Sequence, residues 1–210
     1  MRAVECPRCG KDLLPPSLLE YQYRCPVHGQ VSGLRQPVPV SDTDVADLAK
    51  RSAVPIWFPR NLPEAWLLTG LRWAESPRRE TVAVVLGISG KGLAQGPTDV
   101  LILAEQPGCG LGARYTGLAT PDPDEECFGA SPSSRVRTGH RSTGMWSLQA
   151  PTDRVAFVGE ADGDWLWIIG WPDSAWSLLL DGLELVDARY DDSYKRFGVG
   201  AVNPRLKALG

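Results

Sequence analysis

Histidine is scarce in this chain: His28 and His140 are the only two among 210 residues. Imidazole chemistry is therefore confined to two positions. No stretch reaches the ~18 uninterrupted apolar residues of a membrane-spanning helix, which excludes that class of membrane protein. The chain does not open on a basic segment followed by an apolar run, so the sequence predicts no signal peptide. The expected compartment is the cytoplasm, where thiols stay reduced. Positive charge is not in excess. The 22 Lys and Arg against 25 Asp and Glu give a formal charge of −3, which argues against a globally basic nucleic-acid binder. No serine sits in a Gly-x-Ser-x-Gly elbow, and no glycine loop ends in Gly-Lys-Ser/Thr. Internal repeats and long low-complexity tracts are also missing. The length fits one domain with a small appendage.

Against this background two short runs stand out: Cys6-Pro7-Arg8-Cys9-Gly10 and Cys25-Pro26-Val27-His28-Gly29. Each is a ligand, two spacers, a ligand and a glycine. Proline fixes φ at the start of the bend and has no N–H to satisfy. Glycine takes positive φ just after the second ligand. The spacing C-x2-C-x15-C-x2-H matches a zinc ribbon. Three thiolates and one imidazole suit tetrahedral Zn²⁺, and four protein ligands leave no position for water, so the expected ion is structural. The second ring nitrogen of His28 is expected to donate to a carbonyl or carboxylate. Between the runs, Leu13, Leu14, Leu18 and Leu19 precede Tyr21 and Tyr23, which alternate with polar residues as in a strand. Such a ribbon is too small for a core, so the metal must supply much of its folding free energy.

The expected division is residues 1–36 as a zinc ribbon, 37–53 as a linker with a short helix, and 54–210 as an aromatic-rich α+β domain. Gln36-Pro37-Val38-Pro39-Val40 reads as an extended hinge, because proline and its predecessor both avoid helix. Losing the metal would then unfold only the ribbon. Ser41 with Asp44 three residues on predicts a helix N-terminus with the stripe Val45, Leu48 and Ala49. Strands are predicted over 65–74, 80–88, 99–105, 145–149, 154–159 and 164–170, with Ala161-Asp162-Gly163 as a hairpin turn. A second helix is predicted after Asp173, burying Ala175, Trp176, Leu179, Leu180 and Leu183, with Leu183–Val186 as an alternative last strand. The predicted fold class is α+β: an N-terminal zinc ribbon, then a mainly antiparallel sheet with a few flanking helices.

Other candidate sites carry less. Gly110, Gly112 and Arg114 follow an apolar strand, as a phosphate-cradling loop would, yet the helix that should come next is broken by Tyr115-Thr116-Gly117. His140 lies in a predicted loop with no carboxylate beside it. The eight tryptophans read mainly as core, with Trp165 and Trp167 on one strand face beneath a helix. Trp57, Trp66 and Trp171 sit beside prolines or turns and are the candidates for lining a pocket. Cys109 and Cys127 read as small buried hydrophobes. The acidic run Pro121–Glu126 lacks a calcium-loop pattern and reads as a solvated loop.

The two knuckles, Val54-Pro55-Ile56-Trp57-Phe58-Pro59, Leu62-Pro63-Glu64-Ala65-Trp66, Gly110-Leu111-Gly112-Ala113-Arg114-Tyr115, and Trp165-Leu166-Trp167 before Trp171-Pro172 together carry a resemblance. The complete chain resembles an uncharacterised actinobacterial family of zinc-ribbon proteins of about this length. The resemblance implies no particular activity. The residues favour a non-enzymatic, zinc-binding module with a protein partner; nucleic acid is the weaker partner class. The alternative is a small-ligand binder or enzyme using the 108–114 glycine loop and His140.

Overall fold

The computed structural model describes residues 4–17, 21–62, 64–92, 96–176 and 182–207. Leu18, Leu19, Pro63, Leu179 and Leu180, used in the sequence reading, lie outside them.

Residues near the N-terminus form a two-stranded antiparallel unit, β1 (Tyr23–Cys25) and β2 (Gly29–Val31). The other strands make one ten-stranded sheet. They are β3 (Gly33–Leu34), β4 (Trp57–Pro59), β5 (Leu67–Glu75), β6 (Thr81–Lys91), β7 (Pro97–Glu105), β8 (Ser134–Thr138), β9 (Arg141–Leu148), β10 (Val155–Ala161), β11 (Asp164–Trp171) and β12 (Glu184–Asp187). The order is β3-β5-β6-β7-β11-β10-β9-β8-β12-β4. Every pairing is antiparallel except β12 with β8. The molecule is therefore α+β with a largely antiparallel sheet.

Alternation along the central strands feeds two cores. Val84, Leu86, Ile88, Val100, Ile102, Leu166 and Ile168 face one side. Val85, Leu101, Leu103, Trp167 and Ile169 face the other. Both faces are covered, which explains why these strands read as nearly continuous apolar runs. The first core is closed by helix α1 (Asp42–Ala49), through Val45 and Leu48, and by Ile56, Trp57 and Phe58. The second is closed by a short helix, α2 (Leu111–Thr116), through Leu111 and Tyr115, and by Leu206 of the C-terminal segment.

Local chemistry sets the ends of these elements. Ser41 caps α1: its Oγ accepts from Asp44 N at 3.1 Å and donates to the Asp44 carboxylate at 2.6 Å. Asp162 and Gly163 both have positive φ, as a two-residue hairpin turn between β10 and β11 requires. Pro59 lies on β4, an edge strand, where a missing N–H is tolerated.

Three expectations change. Where a helix was predicted after Asp173, the described residues form a 3-10 turn, Asp173–Trp176, with Trp176 47% exposed, and positions 177–181 lie outside the described residues. The alternative last strand, expected over Leu183–Val186, forms as β12, Glu184–Asp187, drawn between β8 and β4 by backbone pairing on both sides. The glycine loop does lead into a helix, α2, one and a half turns long and ended by Gly117 in the left-handed region. The segment Gln36–Val40 is extended as expected, but Val38 exchanges two backbone hydrogen bonds with Leu71 (2.9 and 2.8 Å), so it lies against the sheet edge.

Candidate metal centre

The first knuckle is closed by Cys6 N donating to Lys11 O and Gly10 N donating to Cys6 O, each at 2.8 Å. The second lies in the turn between β1 and β2. Gly10 and Gly29 have φ of 73° and 69°, the left-handed geometry that lets each loop turn away from its ligands. The two turns bring Cys6, Cys9, Cys25 and His28 together, with all donor atoms within 4.8 Å of one another. Cys6 Sγ lies 3.6 Å from His28 Nδ1, Cys9 Sγ 3.6 Å from Cys25 Sγ, and Cys25 Sγ 3.7 Å from His28 Nδ1. Ligands of a tetrahedral zinc ion at 2.0–2.3 Å stand roughly 3.3–3.8 Å apart; these three separations fall in that range, and the four side chains could hold a metal ion.

The thiols are not equivalent. Burial pushes Cys6 up to about 12. Cys25 is held at about 6: burial acts against this, but the backbone N–H groups of Val27 and His28, and then the His28 ring, favour its thiolate. The expected second-sphere acceptor for His28 does not materialise among the described residues. The ring instead borders a cavity of about 110 Å³ with Arg8, Arg114 and Thr120.

What the sequence reading missed is how this unit is fastened. Glu5 N donates to Leu34 O (3.0 Å) and Leu34 N to Glu5 O (2.8 Å), which continues the sheet edge into the first knuckle. Arg72, in the middle of β5, is 0% exposed. Its guanidinium donates to Arg35 O (2.8 Å), Leu206 O (2.7 Å) and the Glu5 carboxylate (2.6 Å). It thus ties the N-terminal segment, the sheet and the C-terminal segment together. Arg114, on α2, donates to Cys6 O at 3.4 Å and packs against Gly10, where a Cβ would collide with its guanidinium. A charged residue inside the apolar run of β5 was the available signal for Arg72.

Glu105 answers the question of the glycine loop. Its carboxylate, fully buried at the end of β7, accepts from Leu111 N (2.8 Å) and Gly112 N (2.9 Å). The backbone N–H groups that an external phosphate would need are thus engaged by the chain's own carboxylate. Burial pushes Glu105 up to about 7 despite those two donors. Gly112 is required for another reason: a Cβ there would overlap the indole of Trp167, on which α2 rests. Trp165 lies on the same sheet face, stacks on Phe128 at 5.7 Å and donates to Asp122 at 2.9 Å.

The remaining candidates are scattered. Gly110 is the residue preceding α2. Trp66 is buried and donates to Lys91 O at 3.0 Å. Trp171 is buried between the guanidinium groups of Arg154 and Arg205, 5.2 and 5.1 Å from the ring. His140 is exposed in the β8–β9 turn and shares an open cavity of about 420 Å³ with Trp57 and Tyr190. That cavity does not include Arg114. Within the acidic run, Asp122 accepts from Gly108 N at 2.7 Å, and Asp124 accepts from Cys127 N at 3.1 Å, capping a 3-10 turn at Glu125–Phe128. No helix among the described residues is long and apolar enough to cross a membrane.

One family model, described as "Family of unknown function (DUF6758)", matches residues 1–206, and the chain belongs to that family. No curated protein and no solved structure matches it.

Proposed function

We propose that this member of the DUF6758 family binds one structural zinc ion through Cys6, Cys9, Cys25 and His28, and that the ribbon so held is a docking module for a protein partner in the cytoplasm. The donor set supports zinc: three thiolates and an imidazole at tetrahedral spacing are the usual closed structural site. Three thiolate ligands also call for a reducing compartment. One observation carries the docking reading. Leu14, Tyr21 and Val27 are 60%, 78% and 57% exposed, and all belong to the ribbon, which is fastened to the sheet through Glu5 and the Cys6 carbonyl. Large apolar side chains held outward on a rigid unit are the usual mark of a protein contact.

The test uses the full chain as bait in its native cell, beside a variant carrying Leu14→Ser, Tyr21→Ser and Val27→Ser. Elemental analysis should give one zinc per chain for both. A partner retained by the parent and lost by the variant supports the reading. A partner held equally by both overturns the docking surface, and a zinc content near zero overturns the metal. A salt-sensitive, sub-micromolar complex with DNA or RNA would move the ribbon into the nucleic-acid class instead.

A second reading, small-ligand binding beside His140, rests on Trp57. Its indole N–H is buried without a hydrogen-bond partner, and the residue lines the same cavity as His140.

A further inference from the structure

Between the ribbon and the sheet lies a cleft of about 280 Å³ that none of the four metal ligands lines. Arg8, Gln22, Gln30 and Ser32 form its N-terminal wall, and Ser76 and Gln106 form its sheet wall. Among the described residues no Asp or Glu lines it. Two of the lining residues, Arg8 and Ser76, each carry a buried polar atom, Nε and Oγ, that has no hydrogen-bond partner. Arg8 makes one side-chain hydrogen bond among the described residues, from its NH2 group to Gly108 O at 2.5 Å. Its charge therefore rests on a neutral carbonyl. A buried donor left unsatisfied carries its full desolvation penalty, which is larger when it is charged. Native proteins seldom accept two such costs on one small surface unless something else satisfies them.

We propose that this cleft binds a small organic anion, whose carboxylate or phosphate oxygens accept from Arg8 Nε and from the Ser76 hydroxyl. Guanidinium pairs with either oxyanion through the same geometry. The three glutamine amides offer donors and acceptors to the rest of the molecule. The volume is at the small end of ligand sites, which restricts the occupant to a small metabolite. Because its walls come from both the ribbon and the sheet, the bound anion also joins the two. The site is independent of the outward Leu14, Tyr21 and Val27, so its failure and the failure of the docking reading are separate results.

The experiment titrates the zinc-loaded full chain with inorganic phosphate and, separately, with acetate, while the Arg8 Nε–H resonance is followed by NMR. A saturable shift with either probe is expected. Phosphate alone points to a phosphate ester, acetate alone to a carboxylate, and both to the shared oxyanion chemistry. Arg8→Gln should weaken binding about tenfold or more, the scale of a lost charge-assisted hydrogen bond. The variant must keep its zinc for this comparison. If it does not, Ser76→Ala decides instead, with a severalfold weakening expected from loss of its hydroxyl. Absence of a saturable shift with both probes overturns the proposal. So does affinity unchanged in Arg8→Gln, or in Ser76→Ala where that variant decides.

Discussion

Arg72→Met is the sharpest test of how the ribbon is fastened. The substitution removes a fully buried guanidinium and keeps most of its aliphatic volume. Three acceptors lose a donor: Arg35 O, Leu206 O and the Glu5 carboxylate. Glu5 is the most consequential of them. Its carboxylate is held below the usual range: burial acts to raise it, but the Gln36 amide and then Arg72 and Arg114 outweigh that. Breaking a buried pair by removing one partner costs ~3–5 kcal/mol, because the remaining charge stays desolvated. Glu5 is partly exposed and keeps Gln36, so the lower half of that range is expected for the pair. The orphaned Arg35 carbonyl adds to it, whereas Leu206 O keeps the Tyr115 hydroxyl at 2.8 Å. The assay is urea unfolding of zinc-saturated protein followed by tryptophan fluorescence. A loss of about 3–5 kcal/mol is expected for Arg72→Met. Glu5→Gln added to it should cost less than it does alone, since the neighbouring charge is already gone. A loss under ~1 kcal/mol, the size of an ordinary surface change, would refute the reasoning, as would strict additivity of the two substitutions.

Zinc removal or Cys25→Ser should lower the unfolding midpoint of the sheet as well as that of the ribbon. All eight tryptophans lie at or beyond Trp57, so an unchanged tryptophan transition would show that the ribbon is not coupled to the sheet. Stability should fall at both ends of the pH range. The depressed carboxylates Glu5 and Glu75 stabilise the fold above about pH 4.5, and that contribution is lost as pH falls through their folded values. Glu105, raised from 4.5 to about 7, acts oppositely: the fold loses stability as pH rises from about 4.5 to 7, and Glu105→Gln should flatten that limb in zinc-saturated protein. Gly112→Ala should cost ~1–3 kcal/mol or more by driving α2 off Trp167, measured by the same urea assay.

The parts of this molecule that were legible in its sequence are those set by short-range chemistry. Two proline–glycine turns announce the clustering of Cys6, Cys9, Cys25 and His28, because each turn needs those residue types in that order. Ser41 and Asp44 announce α1 through a bond that spans three residues. Asp162-Gly163 announces its hairpin through positive φ. What escaped depends on partners far away in the chain. Strand β4 is three residues long and exists because β12 pairs with it, more than a hundred positions later. Helix α2 looked broken because its start is held by a side chain, Glu105, instead of by its own propensity. Arg114 was singled out as an anion binder, yet its guanidinium covers Gly10 and reaches the Cys6 carbonyl. In each case the deciding contact is tertiary, and no local pattern encodes it.

The place of β12 in the sheet has a consequence for the order in which the molecule is made. Residues 184–187 lie between β8 and β4, so the strand at one border of the sheet has no neighbour until the ribosome has passed nearly the whole chain. The meander β5-β6-β7 needs no such wait, since its turns are local. The four side chains of the candidate metal centre need still less: they are complete once residue 28 has emerged. A metal ion bound there would therefore be captured first, by a segment with nothing yet to rest on. Leu206, the last anchor of Arg72, arrives last of all. The N-terminal unit is thus complete before the contacts that lock it down exist, and a chain cut short before β12 would hold that unit against an unfinished sheet.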